Sequence, residues 1–452
     1  MAKQILMLIC LLGVNCVFSQ NIKRKAYLGI STGLVNDSLV KANNLKEIRG
    51  VIVTEVKENE ATKALGISKG DILLSVNKIN LKTPAEFSKI INELKEKDQI
   101  DIEFLSNQEI KHAKGLLLPI QYEEEVDHKV MYDEFPFNNG WIRTITDIPK
   151  GNGVKYPAIL FVQGYSCFSM DRIGDHPYGQ LIKGLAKKGY VVMRVEKPGE
   201  GDNTNTSDCD KIDFATEVSV FEKGLAKLKS YDFVDTSNVF IWGHSMGGII
   251  APIIASGHNV KGMIVYGTGI TPWREYLVEM FRVQNPLFGV DYIENEANMI
   301  HFYNIIHQLF IEKKTPDEIA KNPVYKKLMT DFMNYSEPNQ VFSRSYKYLV
   351  QIDDFNLPEC WSKTDAYVLS MWGDCDVEAY SDYDQKEIVA VVNHYHQGHA
   401  EFLQIKNTTH AFSLVESMKH GIANYNYQYM IEHFNPAVID ETDLWIKRII
   451  NK

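Results

Sequence analysis

Gly243-His244-Ser245-Met246-Gly247-Gly248 is the segment of this chain whose residue types and spacing most directly suggest chemistry. As a bare string, Gly-x-Ser-x-Gly says little. Here it follows the apolar run Asn238-Val239-Phe240-Ile241-Trp242 and precedes a helix-forming stretch from Ile249 to Ser256. A strand that turns sharply into a helix needs glycine where side chains would strike neighbouring strands, and the turn lifts the central serine above the sheet. A serine hydroxyl at neutral pH also needs a general base, and a group to orient that base. Two later segments offer them. The strand-like run Asp365 to Trp372 ends in Gly373-Asp374-Cys375-Asp376, and the run Glu401 to Ile405 ends in Asn407-Thr408-Thr409-His410. An acid after one strand and a histidine after the next fall on the same sheet edge as Ser245. Nucleophilic serine chemistry is the expectation, with Asp374 and Asp376 both open as the acid.

Positioning those groups requires a parallel sheet, and the flanking sequence alternates accordingly. Pro157 to Gln163 is a continuous apolar strand, Leu181 to Lys188 a helix, and Tyr190 to Val195 the next strand. Phe214 to Tyr231 follows as a helix with Val218, Phe221, Leu225 and Leu228 on one side. Strands alternating with helices of this length predict a mostly parallel α/β sheet. The chain of 452 residues is 45% hydrophobic and 23% charged, an ordinary globular composition. Its net charge of −10 makes it a poor binder of phosphate backbones, so no nucleic-acid partner is expected.

The charge is unevenly spread. Residues 20–121 carry 16 basic and 13 acidic residues, whereas 122–452 carry 31 and 45, which predicts two separately built modules joined near Leu118-Pro119-Ile120-Gln121-Tyr122. Ahead of both, residues 1–19 have one charge at Lys3, an apolar run from Ile5 to Val14 and the small-residue site Val17-Phe18-Ser19. That pattern predicts a cleaved export signal and a periplasmic or extracellular protein. No later run is long and apolar enough to predict a membrane span.

In the first module, Gly50 to Val56 and Asp71 to Asn77 read as strands. Thr83-Pro84-Ala85-Glu86 opens a helix whose apolar face is Phe87, Ile90, Ile91 and Leu94, and Gln99 to Leu105 closes as a strand. Tyr27-Leu28-Gly29-Ile30, Gly50-Val51-Ile52-Val53 and Lys69-Gly70-Asp71-Ile72-Leu73 resemble a PDZ domain of the bacterial exported type, over about residues 26–118. The resemblance implies that backbone N–H groups at Tyr27, Leu28, Gly29 and Ile30 receive the C-terminal carboxylate of a protein partner, whose last residues add as a strand. The alternative is a fold of this kind used only as a docking wall for the second module.

The second module, residues 122–452, resembles the α/β-hydrolase superfamily, on the elbow at Ser245 and the order serine, acid, histidine. The resemblance implies Ser245 as nucleophile and His410 as base, and it favours Asp376 over Asp374, because the family's acid stands three residues after the strand-ending glycine. The oxyanion donors would be the Met246 N–H and a group of Tyr165 in Gln163-Gly164-Tyr165, either its N–H or its hydroxyl. The strands before Cys167 and Cys209 would be neighbours, which suggests a Cys167–Cys209 disulfide. Cys360 and Cys375 flank one strand at opposite ends and are harder to join. Residues 271–363 form a helical insertion, rich in Trp273, Tyr276, Phe281, Phe288, Tyr292, Phe302, Tyr303 and Phe310, expected to cap the pocket. His394, His396 and His399 match no common ligand spacing and predict no metal. His244 reads as packing, and Lys197-Pro198-Gly199-Glu200-Gly201-Asp202 as a structural turn. No cofactor is implied. The expected function is a serine hydrolase, most simply a carboxylesterase acting on a small-molecule ester. The alternatives are a peptidase of the prolyl-oligopeptidase kind, or a PDZ adaptor on a scaffold that no longer turns over.

Overall fold

The computed structural model describes residues 21–43, 47–57, 60–151 and 155–452, so the export signal expected at 1–19 lies outside the described residues. No helix among them is long and apolar enough to cross a membrane.

The N-terminal module is an antiparallel sheet with one long helix. Its strands are β1 (Ala26–Tyr27), β2 (Ile30–Leu34), β3 (Val51–Val56), β4 (Ile72–Val76), β5 (Ile79–Asn80), β6 (Gln99–Ser106), β7 (Glu109–Leu116) and β8 (Leu118–Pro119). The sheet runs β2-β3-β4-β6-β7, with β5 added to β4, and β2 forms one edge. Helix Pro84–Glu93 begins with a capping box in which Thr83 and Glu86 satisfy each other's backbone N–H groups. Its Phe87 enters the core with Val51, Val53, Leu73 and Ile102.

The second module is built on an eight-stranded sheet. Its strands are β9 (His128–Phe137), β10 (Gly140–Pro149), β11 (Tyr156–Val162), β12 (Val191–Val195), β13 (Val234–His244), β14 (Gly262–Tyr266), then β17 (Tyr367–Gly373) and β18 (Ala400–Ile405). Between them, β15 (Gln340–Val341) and β16 (Arg344–Ser345) pair as a small hairpin of the insertion. The order across the sheet is β18-β17-β14-β13-β11-β12-β10-β9. From β12 to β18 all pairs are parallel, and β10 joins β12 antiparallel at the far edge. Central strands buried on both faces explain the unbroken apolar runs, such as Ala158 to Val162 and Phe240 to Trp242. One face is covered by helices Phe214–Lys229 and Met246–Ala255, the other by Pro177–Lys187 and Ala437–Ile450. This is the α/β-hydrolase fold.

Two helices start earlier than their apolar periodicity indicates. Pro177 occupies the first turn of the helix expected from Leu181, where its missing N–H costs nothing. The helix expected from Ile249 starts at Met246, directly after the nucleophile position, because glycines there serve close packing rather than helix breaking. A Cβ on Gly247 would lie 2.0 Å from the Val162 carbonyl oxygen, and one on Gly248 would lie 2.5 Å from Thr268.

The insertion forms helices Trp273–Leu287, Tyr292–Phe310, Pro323–Met333, Tyr346–Asp354 and Leu357–Lys363, with a short turn of helix at Pro316–Ile319. Its aromatics divide by role. Phe281, Phe302 and Phe310 are buried in its core, Tyr292 and Tyr303 face solvent, and Trp273, Tyr276 and Phe288 line the cavities beside Ser245.

Residues ahead of the PDZ module pack on the other one. Glu134 of β9 accepts from the Asn21 and Ile22 N–H groups. The fully buried Arg24 guanidinium contacts Asp171 at 2.5 Å and Asp202 at 2.6 Å, and donates to the carbonyls of Ile120 and Gln121. It also lies over the rings of Tyr122 and Tyr132. Strands β1 and β8 pair antiparallel, so the chain leaves and re-enters the second module side by side.

Candidate active site

Ser245 sits between β13 and its helix with φ +53° and ψ −119°, outside the ordinary regions for a residue with a side chain. Such strain costs on the order of 1–3 kcal/mol and persists because the surroundings fix the turn. Here Ser245 N donates to the Tyr266 carbonyl of β14, and Gly243 and Gly247 pass too closely for a Cβ on either. Ser245 thus projects at the carboxyl edge of the sheet.

His410 follows β18 and Asp376 follows β17, and the two meet: Asp376 Oδ2 is 2.7 Å from His410 Nδ1. Asp376 is fully buried, and its other oxygen accepts from the Glu378 and Ala379 N–H groups at 2.8 Å each. Asp374 is turned elsewhere, accepting from Asn407 N and Gln404 Nε2, where it braces the loop that carries the histidine. Gly267 lies under the pair, where a Cβ would come within 2.8 Å of Asp376 and 2.9 Å of His410. The geometry therefore selects Asp376 as the histidine's partner.

The far nitrogen of His410 is unexpectedly placed. Nε2 lies 3.3 Å from Glu378 Oε2, and Ser245 Oγ has no hydrogen-bond partner among the described residues. Burial alone would lower the His410 pKa, but Asp376 and Glu378 outweigh it and raise it to about 9. His244 is the opposite case. Buried, with the cationic form of His410 nearby, it is held well below the usual histidine range and acts as a neutral spacer. Its Nδ1 meets the Tyr178 hydroxyl at 2.5 Å and its Nε2 meets the His410 carbonyl at 2.9 Å.

The N–H groups of Met246 and Tyr165, two residues that line the wider cavity with Ser245, have no hydrogen-bond partner among the described residues. The Tyr165 hydroxyl donates to the Phe342 carbonyl of the insertion at 3.0 Å, which leaves the backbone N–H as that residue's donor toward the site. The loop is pinned from behind. Buried Lys197 Nζ donates to the Gly164 carbonyl at 2.5 Å, and Arg344 of the insertion donates to the Tyr165 carbonyl at 2.8 Å. Glu217, fully buried, pairs with both cations, at 3.0 and 2.6 Å. In a trans peptide the C=O and the next N–H point in opposite directions. Anchoring the Gly164 carbonyl on Lys197 thus aims the Tyr165 N–H the other way. Lys197, the first residue of the turn read as structural, thus holds the loop that follows β11.

A Cys167–Cys209 disulfide, with Cα atoms 5.8 Å apart, ties that loop to the segment after β12, while Cys360 and Cys375 are free. Glu196, buried under the same loop, accepts from Ser169 and from the Met170 and Asp171 N–H groups, and its burial raises its pKa to about 7.

Two cavities meet at Ser245. The wider, about 310 Å³, is mostly apolar, with Tyr165, Leu277, Met280, Phe288 and Phe342 in its wall. The narrower runs past Gly267 and Thr268 between Trp273, Tyr276 and Tyr380. Of the histidines whose spacing predicted no metal, His396 and His399 converge with exposed Asp365, but His396 Nε2 is held by the Ser362 carbonyl and His399 Nδ1 by that of Asp365. His394 stands apart from this group.

Sequence reading missed Glu378, Lys197, Glu217 and Arg344. Glu378 stands two residues after Asp376, so its side of the loop was legible, but its reach to His410 was not. Lys197 and Glu217 are charges inside otherwise apolar or helical runs, which is a usable signal for buried pairing. Arg344 carried no signal.

In the N-terminal module, Tyr27 is 37% exposed, Leu28 is buried and Gly29 adopts φ +70°. Ile30 then opens edge strand β2, against which helix Pro84–Glu93 packs.

The molecule thus joins a small N-terminal module to a domain of the α/β-hydrolase fold, with Ser245, His410 and Asp376 at the sheet's carboxyl edge. Residues 26–114 match the PDZ domain family. Esterase EstD of Thermotoga maritima is 29% identical over 185 residues, 40% of this chain and 42% of EstD, so the match spans less than half of that relative. Among solved structures, Est1E from Butyrivibrio proteoclasticus is similar over 72% of this chain and 99% of its own, at 16% identity and TM-score 0.45. A soluble variant of the monoglyceride lipase of Saccharomyces cerevisiae, in complex with a substrate analog, is similar over 73% and 99%, at 15% identity and TM-score 0.43.

Proposed function

We propose that the protein is an exported serine hydrolase that cleaves carboxylic esters through an acyl-enzyme. The observation that carries this reading is the Asp376–His410 pair beside a strained Ser245 that opens onto two cavities. Ser245 Oγ attacks the ester carbonyl carbon while His410 Nε2 takes its proton. The tetrahedral oxyanion sits on the Met246 and Tyr165 N–H groups, aimed there before the charge develops. Collapse expels the alcohol, which takes the proton from His410. Water, deprotonated by the same imidazole, then releases the acid and restores the serine. Asp376 holds the imidazole tautomer throughout.

Similarity to an esterase supports ester rather than amide cleavage. The engaged Tyr165 hydroxyl removes the donor that a prolyl-oligopeptidase-like site would use. Export is supported by the N-terminal pattern and by a disulfide, which persists in oxidising compartments. The PDZ domain would take a protein C-terminus along β2, with its carboxylate at the Leu28-Gly29 turn.

A fluorophosphonate probe on the full chain tests the central claim. Wild type should label, and Ser245→Ala and His410→Ala should not; labelled wild type should also hydrolyse p-nitrophenyl esters of graded acyl length. An unlabelled wild type would refute the hydrolase and leave the adaptor reading.

A further inference from the structure

The narrower cavity beside Ser245 and His410 is charged in a way its own walls do not balance. Three carboxylates face it, Glu279, Glu378 and Asp384, and no lysine or arginine lines it. His410 is the one wall residue able to carry positive charge, and Asp376 already pairs with it. Among the described residues, Glu279 and Asp384 have no cationic partner within 4 Å. Asp384 is nonetheless fixed: one oxygen accepts from the Thr271 N–H and hydroxyl, and the other passes beside Gly269, where a Cβ would come within 3.1 Å.

Aromatic rings fill the space between these acids. Trp273 and Tyr276 lie with centroids 4.8 Å apart, and Tyr276 and Tyr380 are stacked at 6.1 Å. Independently of the acids, Thr268 lines the same cavity only 5% exposed, and its hydroxyl has no hydrogen-bond partner. A buried, unsatisfied polar group in a cavity wall calls for a polar occupant.

Unneutralised carboxylates around a half-closed space concentrate negative potential, which repels anions and draws cations. Ring faces add to the attraction for an ammonium group. A neutral acyl chain has the wider, mostly apolar cavity that also opens at Ser245. We propose that the narrow cavity binds an organic ammonium group of the substrate, so that the preferred esters carry a small cationic head beside the scissile bond. This deepens the esterase reading and rests on it for the substrate assignment, though not for the binding itself. Glu378 links recognition to chemistry. A cation that draws its carboxylate from His410 Nε2 frees that nitrogen for Ser245, so the charge acts on kcat as well as on KM.

Two measurements on the full chain test this. The first is calorimetric titration with tetramethylammonium and with tert-butyl alcohol, a neutral group of similar bulk. The cation should bind at least about tenfold more tightly, and Glu279→Gln and Asp384→Asn should each weaken it about threefold or more. Equal binding of both overturns the site whether or not Ser245 reacts.

The second compares kcat/KM within matched pairs: a choline ester against its 3,3-dimethylbutyl isostere, and a 4-aminobutyryl against a pentanoyl p-nitrophenyl ester. One cationic member should exceed its neutral partner about tenfold, and Glu378→Gln should shrink that ratio. The pair showing the effect tells whether the charge belongs to the alcohol or the acyl half. Cation binding without a preference in either pair overturns the substrate assignment. If fluorophosphonate leaves Ser245 unlabelled, the esterase reading fails and the titration alone decides the site.

Discussion

At the scale of single residues, the site turns on which carboxylate touches which ring nitrogen. Asp376 and Asp374 are two positions apart in sequence, yet only the first reaches His410. Asp376→Asn should therefore lower kcat on esters about 10³–10⁴-fold, by favouring the wrong tautomer, whereas Asp374→Asn should cost less than tenfold. Equal losses in steady-state assays would contradict this division. The second carboxylate, Glu378, predicts a pH effect. The base must be neutral to act, and although burial opposes them, Asp376 and Glu378 raise its pKa to about 9. In the substrate-free enzyme, kcat/KM should thus keep rising as pH climbs toward 9. Removing the Glu378 charge favours neutral imidazole, so Glu378→Gln should move that rise to lower pH; an unmoved profile would show that Glu378 does not act on His410. Ser245, Asp376 and His410 were legible in sequence because strand ends announce themselves as apolar runs that stop at glycine or polar residues. The His410–Glu378 contact was not, since it depends on how a loop folds back after its second residue.

At the scale of elements, the loop after β11 is held by charges from two others. Lys197 comes from the end of β12 and Arg344 from the insertion, and both rest on Glu217 of helix Phe214–Lys229. Burial lowers the Lys197 pKa to about 8, in part offset by Glu217. Lys197→Met should leave the Gly164 carbonyl unanchored and let the Tyr165 N–H drift. Losing an oxyanion donor outright costs about 10²–10³ in kcat, so a fall of about tenfold to a hundredfold is expected, with KM nearly unchanged. A matching rise in KM would mean that the pocket, rather than the oxyanion donor, had been disturbed. Strands and helices were read from the sequence to within a few residues wherever apolar periodicity was strong, as at β11 and Phe214–Lys229. The helix starting at Met246 was placed late because glycines that permit close packing look the same in sequence as glycines that end helices.

At the scale of the whole molecule, Arg24 decides how the two modules relate. It belongs to neither by sequence pattern, lying just before the PDZ match, yet its guanidinium neutralises Asp171 and Asp202 of the second module. Removing one member of a buried ion set costs about 3–5 kcal/mol. Arg24→Met should accordingly lower the melting temperature by several degrees and loosen the segment next to the oxyanion loop. An unchanged melting curve would mean that water compensates both aspartates. A charge step near residue 121 pointed to two modules, but nothing in residues 21–25 signals that they pack with the second, because five residues carry no periodicity to read.

The pairing of β1 with β8 makes the PDZ domain a guest. Ala26 lies opposite Pro119 and Tyr27 opposite Leu118, so the domain enters and leaves its host through one doorway about 5 Å wide. A guest hung this way can be lifted out without cutting its host. Exchanging Leu28–Leu117 for a two-residue hairpin turn should leave a folded hydrolase that still labels at Ser245, whereas trimming the chain from its start through Lys25 should not.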